Sequence, residues 1–229
     1  MKGKAIFFLI LVLALGLRLP HLDDRQLGID EESSIRVAKL IEGSSYSFAY
    51  PYIPLPNEQT PPLFFHLLAI TLFIRDSITS MRILMVLIGI LSIIIFYILA
   101  RKIFDEKFAL FSMFLYSINP MHLIYSQHLR VYILLTLLFP LSLYFLYQYL
   151  IERNFRSLIY LTIVYAISLY SHYHTIWYIF GGSVTVFIFY FLKKNVKLLH
   201  YFFLIFILTI LFIPGVLLFI KKFVEYGIE

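Results

Sequence analysis

The sequence predicts an all-α fold: a polytopic bundle of about seven membrane-spanning helices, with a long outer first loop that carries interfacial helices. Three observations predict it. The chain of 229 residues is 61% hydrophobic and 14% charged, more apolar surface than a soluble domain of this size can bury. Its apolar residues fall in runs at about 5–20, 61–74, 82–100, 107–124, 131–150, 157–171, 174–192 and 198–220. The 24 Phe and 18 Tyr suit lipid-facing and interfacial positions. The net charge of +6 is spread between the runs, so it is not a nucleic-acid signature and reads as a set of topology determinants. There is no Cys, which excludes disulfides, thiolate metal sites and Cys nucleophiles. The chain reads as a single membrane domain, 1–229, without a soluble C-terminal domain.

Taken in order, Met1-Lys2-Gly3-Lys4 before Ala5–Leu17 has the shape of a signal peptide. No small-x-small cleavage site follows; Arg18-Leu19-Pro20 does, so the run is read as a retained first transmembrane helix. Glu32–Ile41 is predicted to be a short interfacial helix, with Ile35, Ala38, Leu40 and Ile41 apolar and Arg36 and Lys39 polar. The run 61–74 opens with Pro61-Pro62 and falls short of the roughly 20 apolar residues a spanning helix needs. If it spans, Arg101/Lys102/Lys107, Arg153/Arg156 and Lys193/Lys194/Lys197 all lie outside, against the positive-inside rule. If it lies at the interface or re-enters, these residues join Lys2 and Lys4 in the cytoplasm. The second arrangement is adopted: a multi-pass protein of the cell membrane, N-terminus cytoplasmic, C-terminus outside. Asn119-Pro120 and Ser171-His172-Tyr173-His174 interrupt later runs, and Pro140 and Pro214 are internal breakers.

This topology gathers the unusual polar groups on the outer face. Carboxylates beside lipid are costly unless they act, so Asp30 and Glu31, just past the first helix, are candidates for a catalytic base, a metal ligand, or both. Partial desolvation there would raise a carboxyl pKa and make it a better base; the plainer reading is an acidic solvated loop. Arg130, at the mouth of a helix, suits bidentate phosphate binding, although Arg near helix ends also snorkels. Ser126 and Tyr132 share its segment and are candidates for the same phosphate-binding role. Arg82, at the outer end of the next span, breaks the charge trend and reads as an interfacial anchor or a second phosphate ligand. Glu58, His128, His172 and His174 are candidates for acceptor or metal binding, a divalent Mn, Mg or Zn ion being the cofactor considered. His172 and His174 would diverge by about 200° on a helix, so they suit one metal only at a turn. Each His taken singly reads as an interfacial residue bonded to backbone.

The order of these motifs resembles a known family. Asp30-Glu31 after the first helix, Thr60-Pro61-Pro62-Leu63 opening a short apolar helix, Met81-Arg82, Tyr125-Ser126-Gln127-x-x-Arg130-x-Tyr132, and His172-Tyr173 after the fifth span look like the GT-C membrane glycosyltransferases. Within these the chain is most similar to the protein O-mannosyltransferase and aminoarabinose transferase group. The resemblance implies transfer of a sugar from a polyprenyl-phosphate donor to a glycan, lipid or protein acceptor on the outer face. It implies that Asp30 is the base and Arg130 the phosphate ligand. Two positions depart from the pattern: His128 stands where many relatives carry Glu, and Thr60 where relatives often carry His. Relatives also run on to further helices, so the resemblance implies acceptor-binding parts beyond Glu229, which a partner chain could supply. Two other readings stand beside it. One is a non-catalytic polyprenyl-phosphate binder or a subunit of a split glycosyltransferase. The other is a small transporter subunit, which would show ionisable residues at the bilayer midplane or paired broken helices.

Overall fold

The computed structural model of the protein describes residues 2–20, 22, 23, 25–43, 61–193 and 198–226. Among them all regular secondary structure is helical, with no strand. In order the helices are α1 (Lys2–Arg18), α2 (Ile29–Gly43), α3 (Leu63–Ile74), α4 (Ile78–Ile103), α5 (Glu106–Ile118), α6 (Pro120–Tyr125), α7 (Tyr132–Leu150), α8 (Arg156–Ser171), a 3₁₀ turn (Tyr173–Thr175), α9 (Ile176–Lys193) and α10 (Leu198–Tyr226). The expected all-α membrane bundle is what is found. Three stretches are long and apolar enough to cross a bilayer, Ile78–Ile103, Tyr132–Leu150 and Tyr173–Leu192, and shorter apolar helices accompany them. Large apolar side chains such as Phe8, Leu9, Val12, Phe73, Phe187 and Phe203 stand on the outside of the fold, as lipid-facing positions do and soluble surfaces do not.

The helix boundaries follow local chemistry. Ser77 caps α4, its Oγ accepting from Ser80 N–H at 3.2 Å, and Asp105 caps α5 by accepting from Phe108 N–H at 2.7 Å. The apolar run 107–124 is two helices, not one. Asn119 closes α5, accepts from His122 N–H at 3.1 Å, and hands the chain to Pro120 at the start of α6. The short helix foreseen at Glu32–Ile41 is longer, Ile29–Gly43, because Gly28 C=O accepts from the N–H groups of both Glu31 and Glu32. The helix therefore begins before the acidic residues, which sit in its first turn, where the helix dipole favours them. The run 61–74 forms a helix of 12 residues, about 18 Å at 1.5 Å per residue, too short to span. Pro140 is accommodated inside α7.

The chain divides into two compact units. The first comprises residues 1–49 and 64–140, the second residues 50–63 and 141–229. In the first, Ile10 and Ala14 of α1, Ile93, Tyr97 and Ala100 of α4, and Ala109, Leu110 and Met113 of α5 form one buried cluster. A Cβ placed on Gly3 would lie 2.5 Å from Glu106 Oε1, and Arg18 reaches the carbonyl of Ser117. Thus α1 and α5 run parallel. The start of α4 lies beside the chain leaving α1, since Arg82 donates to Leu22 C=O, so α4 is antiparallel to both. Charge is sorted accordingly. Lys4, Arg101 and Lys107 belong to one end of this unit; Arg18, Glu31, Arg82 and Arg130 belong to the other. Gly89 permits the closest approach at that second end. A Cβ there would lie 2.5 Å from Ser126 Oγ and 3.0 Å from Ser126 Cβ.

The second unit has its own core, built from Leu146 and Tyr149 of α7, Leu158, Leu161, Tyr165 and Leu169 of α8, Ile179 and Val186 of α9, and Tyr201, Leu204 and Leu208 of α10. Polar groups are paired across its helices: Ser183 Oγ lies 2.9 Å from Tyr201 OH, and Ser157 Oγ donates to Gln148 Oε1 at 2.9 Å.

Candidate functional site

The site lies at the second end of the first unit, where the α1–α2 connection, the first turn of α2, the start of α4 and the segment 126–132 meet. Beneath it is a knot of buried polar groups centred on Arg18, which is fully buried. Its Nη1 donates to Ala14 C=O at 2.9 Å, its Nε to Ser126 Oγ at 3.1 Å, and its Nη2 to Ser117 C=O at 3.0 Å and to His122 Nδ1 at 2.8 Å. Accepting from Arg18 places the His122 proton on Nε2, which donates to Ser92 Oγ at 2.6 Å; Ser92 in turn donates to Gly89 C=O at 2.8 Å. The tautomer follows from the network. Ser126 Oγ donates to His122 C=O at 2.6 Å. Gln127 Nε2 ties the segment to Arg18 C=O at 3.1 Å. Dipoles thus satisfy the Arg18 cation, and the knot holds the chain that leads to Arg130.

Glu31 is the next layer, 1% exposed. Its Oε1 accepts from Leu129 N–H at 3.0 Å and lies 3.7 Å from Arg82 Nη2. Its Oε2 accepts from Gly28 N–H at 3.1 Å and faces His128 Nδ1 at 3.6 Å. Two are hydrogen bonds from backbone N–H groups and two are charge contacts, so each carboxylate oxygen has one of each. Arg82 is equally buried; it also donates from Nη1 to Leu22 C=O at 2.6 Å and from Nη2 to Arg25 C=O at 3.1 Å. His128 takes a hydrogen bond from Arg25 Nη2 on its Nε2, which leaves the proton on Nδ1, toward Glu31. Burial first, then the Arg25 guanidinium, holds the His128 imidazole below its ordinary pKa, against the pull of Glu31.

The open layer is Asp30 with Arg130. Asp30 Oδ2 lies 3.2 Å from Arg130 Nη1, and their side chains are 69% and 31% exposed. The Arg130 guanidinium sits 5.5 Å from the centre of the Tyr132 ring, a cation–π contact, and Tyr132 packs against Tyr125 with centroids 5.1 Å apart.

The structure therefore brings together Asp30, Glu31, Arg82, His128, Arg130 and Tyr132. The two adjacent carboxylates differ in environment. Glu31 is the desolvated one, while Asp30, expected to be partly desolvated, is open. Arg82 and Ser126, expected to face phosphate, are buried, Arg82 against Glu31 and backbone carbonyls, Ser126 against Arg18. His172 and His174 belong to the other unit, at the turn after α8, which His172 closes; their two Nδ1 atoms are 3.1 Å apart. Glu58 lies outside the described residues. Glu31 and His128 face each other at 3.6 Å, and no group of three His, Asp or Glu side chains converges among the described residues. Arg25 and the pairing of Arg18 with His122 were not foreseen from the sequence. Arg18 ends an apolar helix, where snorkelling is the ordinary expectation.

The chain is thus an apolar helical membrane protein with an arginine-rich polar cluster at one end of its first unit. Residues 59–217 match the family model described as dolichyl-phosphate-mannose-protein mannosyltransferase. The chain belongs to that family, and is thereby a membrane glycosyltransferase of the mannosyltransferase type. The match takes in Arg82, His128, Arg130 and Tyr132; Asp30 and Glu31 precede it. No curated protein and no solved structure matches the chain.

Proposed function

We propose that the protein transfers a sugar from a polyprenyl-phosphate donor to an acceptor on the outer face of the cell membrane. The observation that supports this most is the Asp30–Arg130 pair, 3.2 Å apart and open: a base and a phosphate ligand side by side at the first turn of a helix. In the reaction Asp30 takes the acceptor hydroxyl proton as that oxygen attacks the anomeric carbon. The bond from that carbon to the donor phosphate breaks, and its electron pair leaves on the phosphate oxygen beside Arg130. Phosphate is a good leaving group, so electrostatic stabilisation of its developing charge carries much of the rate. Configuration at the carbon inverts.

Two measurements test the reading. Binding of polyprenyl phosphate to the full chain in nanodiscs should weaken by roughly 1.5–3 kcal/mol in Arg130→Ala, the range for a hydrogen bond to a charged group. Arg130→Lys should recover part of it, because a lysine keeps the charge but loses the fork. Unchanged binding in the alanine variant would reduce Arg130 to an anchor on Tyr132. For the outer face, the absence of native Cys makes single introduced thiols clean reporters. Gln26→Cys should react with an impermeant reagent in intact cells, and Lys107→Cys only after permeabilisation. The reverse pattern would place the site in the cytoplasm.

A further inference from the structure

We propose that Arg25 is a phosphate-binding residue of this site, which together with Arg130 takes the phosphate of the lipid donor. This rests on the function proposed above and adds a ligand to its site. Charge points to it first. Three guanidinium groups, Arg25, Arg82 and Arg130, act on His128, and two carboxylates face them. Arg82 is matched by Glu31 and Arg130 by Asp30. Among the described residues the side chain of Arg25 has only a neutral partner, His128 Nε2. Among the described residues Arg25 is thus a half-buried cation with no carboxylate paired to it, a state that a bound anion would stabilise.

Preorganisation points the same way. Arg82 Nη2 holds the Arg25 carbonyl at 3.1 Å, so the backbone that carries Arg25 is anchored to α4. Arg82 Nε–H is buried with no hydrogen-bond partner among the described residues. Exchange is open as well. The partner that Arg130 now has, Asp30, is the most open member of the cluster, so a phosphate can displace it without unmaking any buried contact. Two guanidinium forks match phosphate oxygens better than ammonium groups would. The recognised chemistry is a phosphate monoester or diester, on a lipid or free.

The test uses the full chain in nanodiscs of zwitterionic lipid. Binding of polyprenyl phosphate, of the matching polyprenol, and of inorganic phosphate is measured for the unmodified chain, Arg25→Gln, Arg25→Lys and Arg130→Ala. Arg25→Gln should weaken polyprenyl phosphate about tenfold or more and leave the polyprenol unchanged, and Arg25→Lys should recover part of the loss. A second readout is the His128 ring, followed by ¹⁵N resonances. Phosphate should raise its pKa in the unmodified chain by neutralising Arg25, and should fail to do so in Arg25→Gln. If Arg25→Gln binds like the unmodified chain while Arg130→Ala does not, Arg25 is no ligand and the donor reading stands. If inorganic phosphate binding depends on Arg25 but polyprenyl phosphate does not bind at all, the anion site stands and the donor reading falls. If the unmodified chain binds neither phosphate, both fall.

Discussion

Replacing Glu31 with Ala should destabilise the first unit by about 3–5 kcal/mol, the usual cost of removing one partner from a buried ion pair. Arg82, 1% exposed, would keep its bonds to the carbonyls of Leu22 and Arg25 but lose its counter-charge. Two backbone donors, Gly28 N–H and Leu129 N–H, would lose their acceptor as well. Glu31→Gln should cost less, since the amide oxygen can still accept from one of them. The measurement is thermal unfolding of the purified chain in detergent, with the second unit's core as the internal reference. An alanine variant that melts with the unmodified protein would show that Glu31 does not hold α2 to the segment 126–132.

Asp30→Asn should leave the fold intact and reduce sugar transfer by roughly 10²–10⁴-fold, the typical contribution of a positioned general base. Its carboxylate pairs with Arg130, and its side chain is largely open. The same substitution should tighten the binding of polyprenyl phosphate, because a carboxylate that competes for Arg130 is gone. Opposite signs on binding and turnover are what a purely structural role would not give. In the proposed reaction the pair would also order the events, since a donor phosphate that takes Arg130 would free the Asp30 carboxylate for the acceptor. An Asp30→Asn protein that transfers sugar at the unmodified rate would remove Asp30 from the mechanism.

The architecture was largely legible in the sequence because hydrophobic runs report membrane helices directly. α4, α7 and α8 begin and end within a few residues of the apolar runs at 82–100, 131–150 and 157–171. The break at Asn119-Pro120 was visible, but its meaning was not: periodicity does not distinguish a loop from a cap that starts a new helix. The spread of Lys and Arg over the loops grouped Asp30, Glu31, Arg82 and Arg130 at one side, and within the first unit they do share one end. The contrast between Asp30 and Glu31 was not legible. Adjacent residues on a helix point about 100° apart, and which one is buried depends on Leu129 and Arg82, both on segments far along the chain. Arg25 and the Arg18–His122 contact were hidden for the same reason, since no local pattern encodes a partner that distant.

The Arg18 knot has a consequence for how the chain is made. Arg18 and His122 are 104 residues apart. At about 5–20 residues per second of synthesis, α1 leaves the ribosome roughly 5–20 s before Ser117, His122 and Ser126, which take most of its guanidinium bonds, exist. Through that interval the first helix carries a charge at its end that only water, lipid headgroups or the insertion machinery can solvate. Full pairing of Arg18 therefore waits for the segment that carries Ser117, His122 and Ser126.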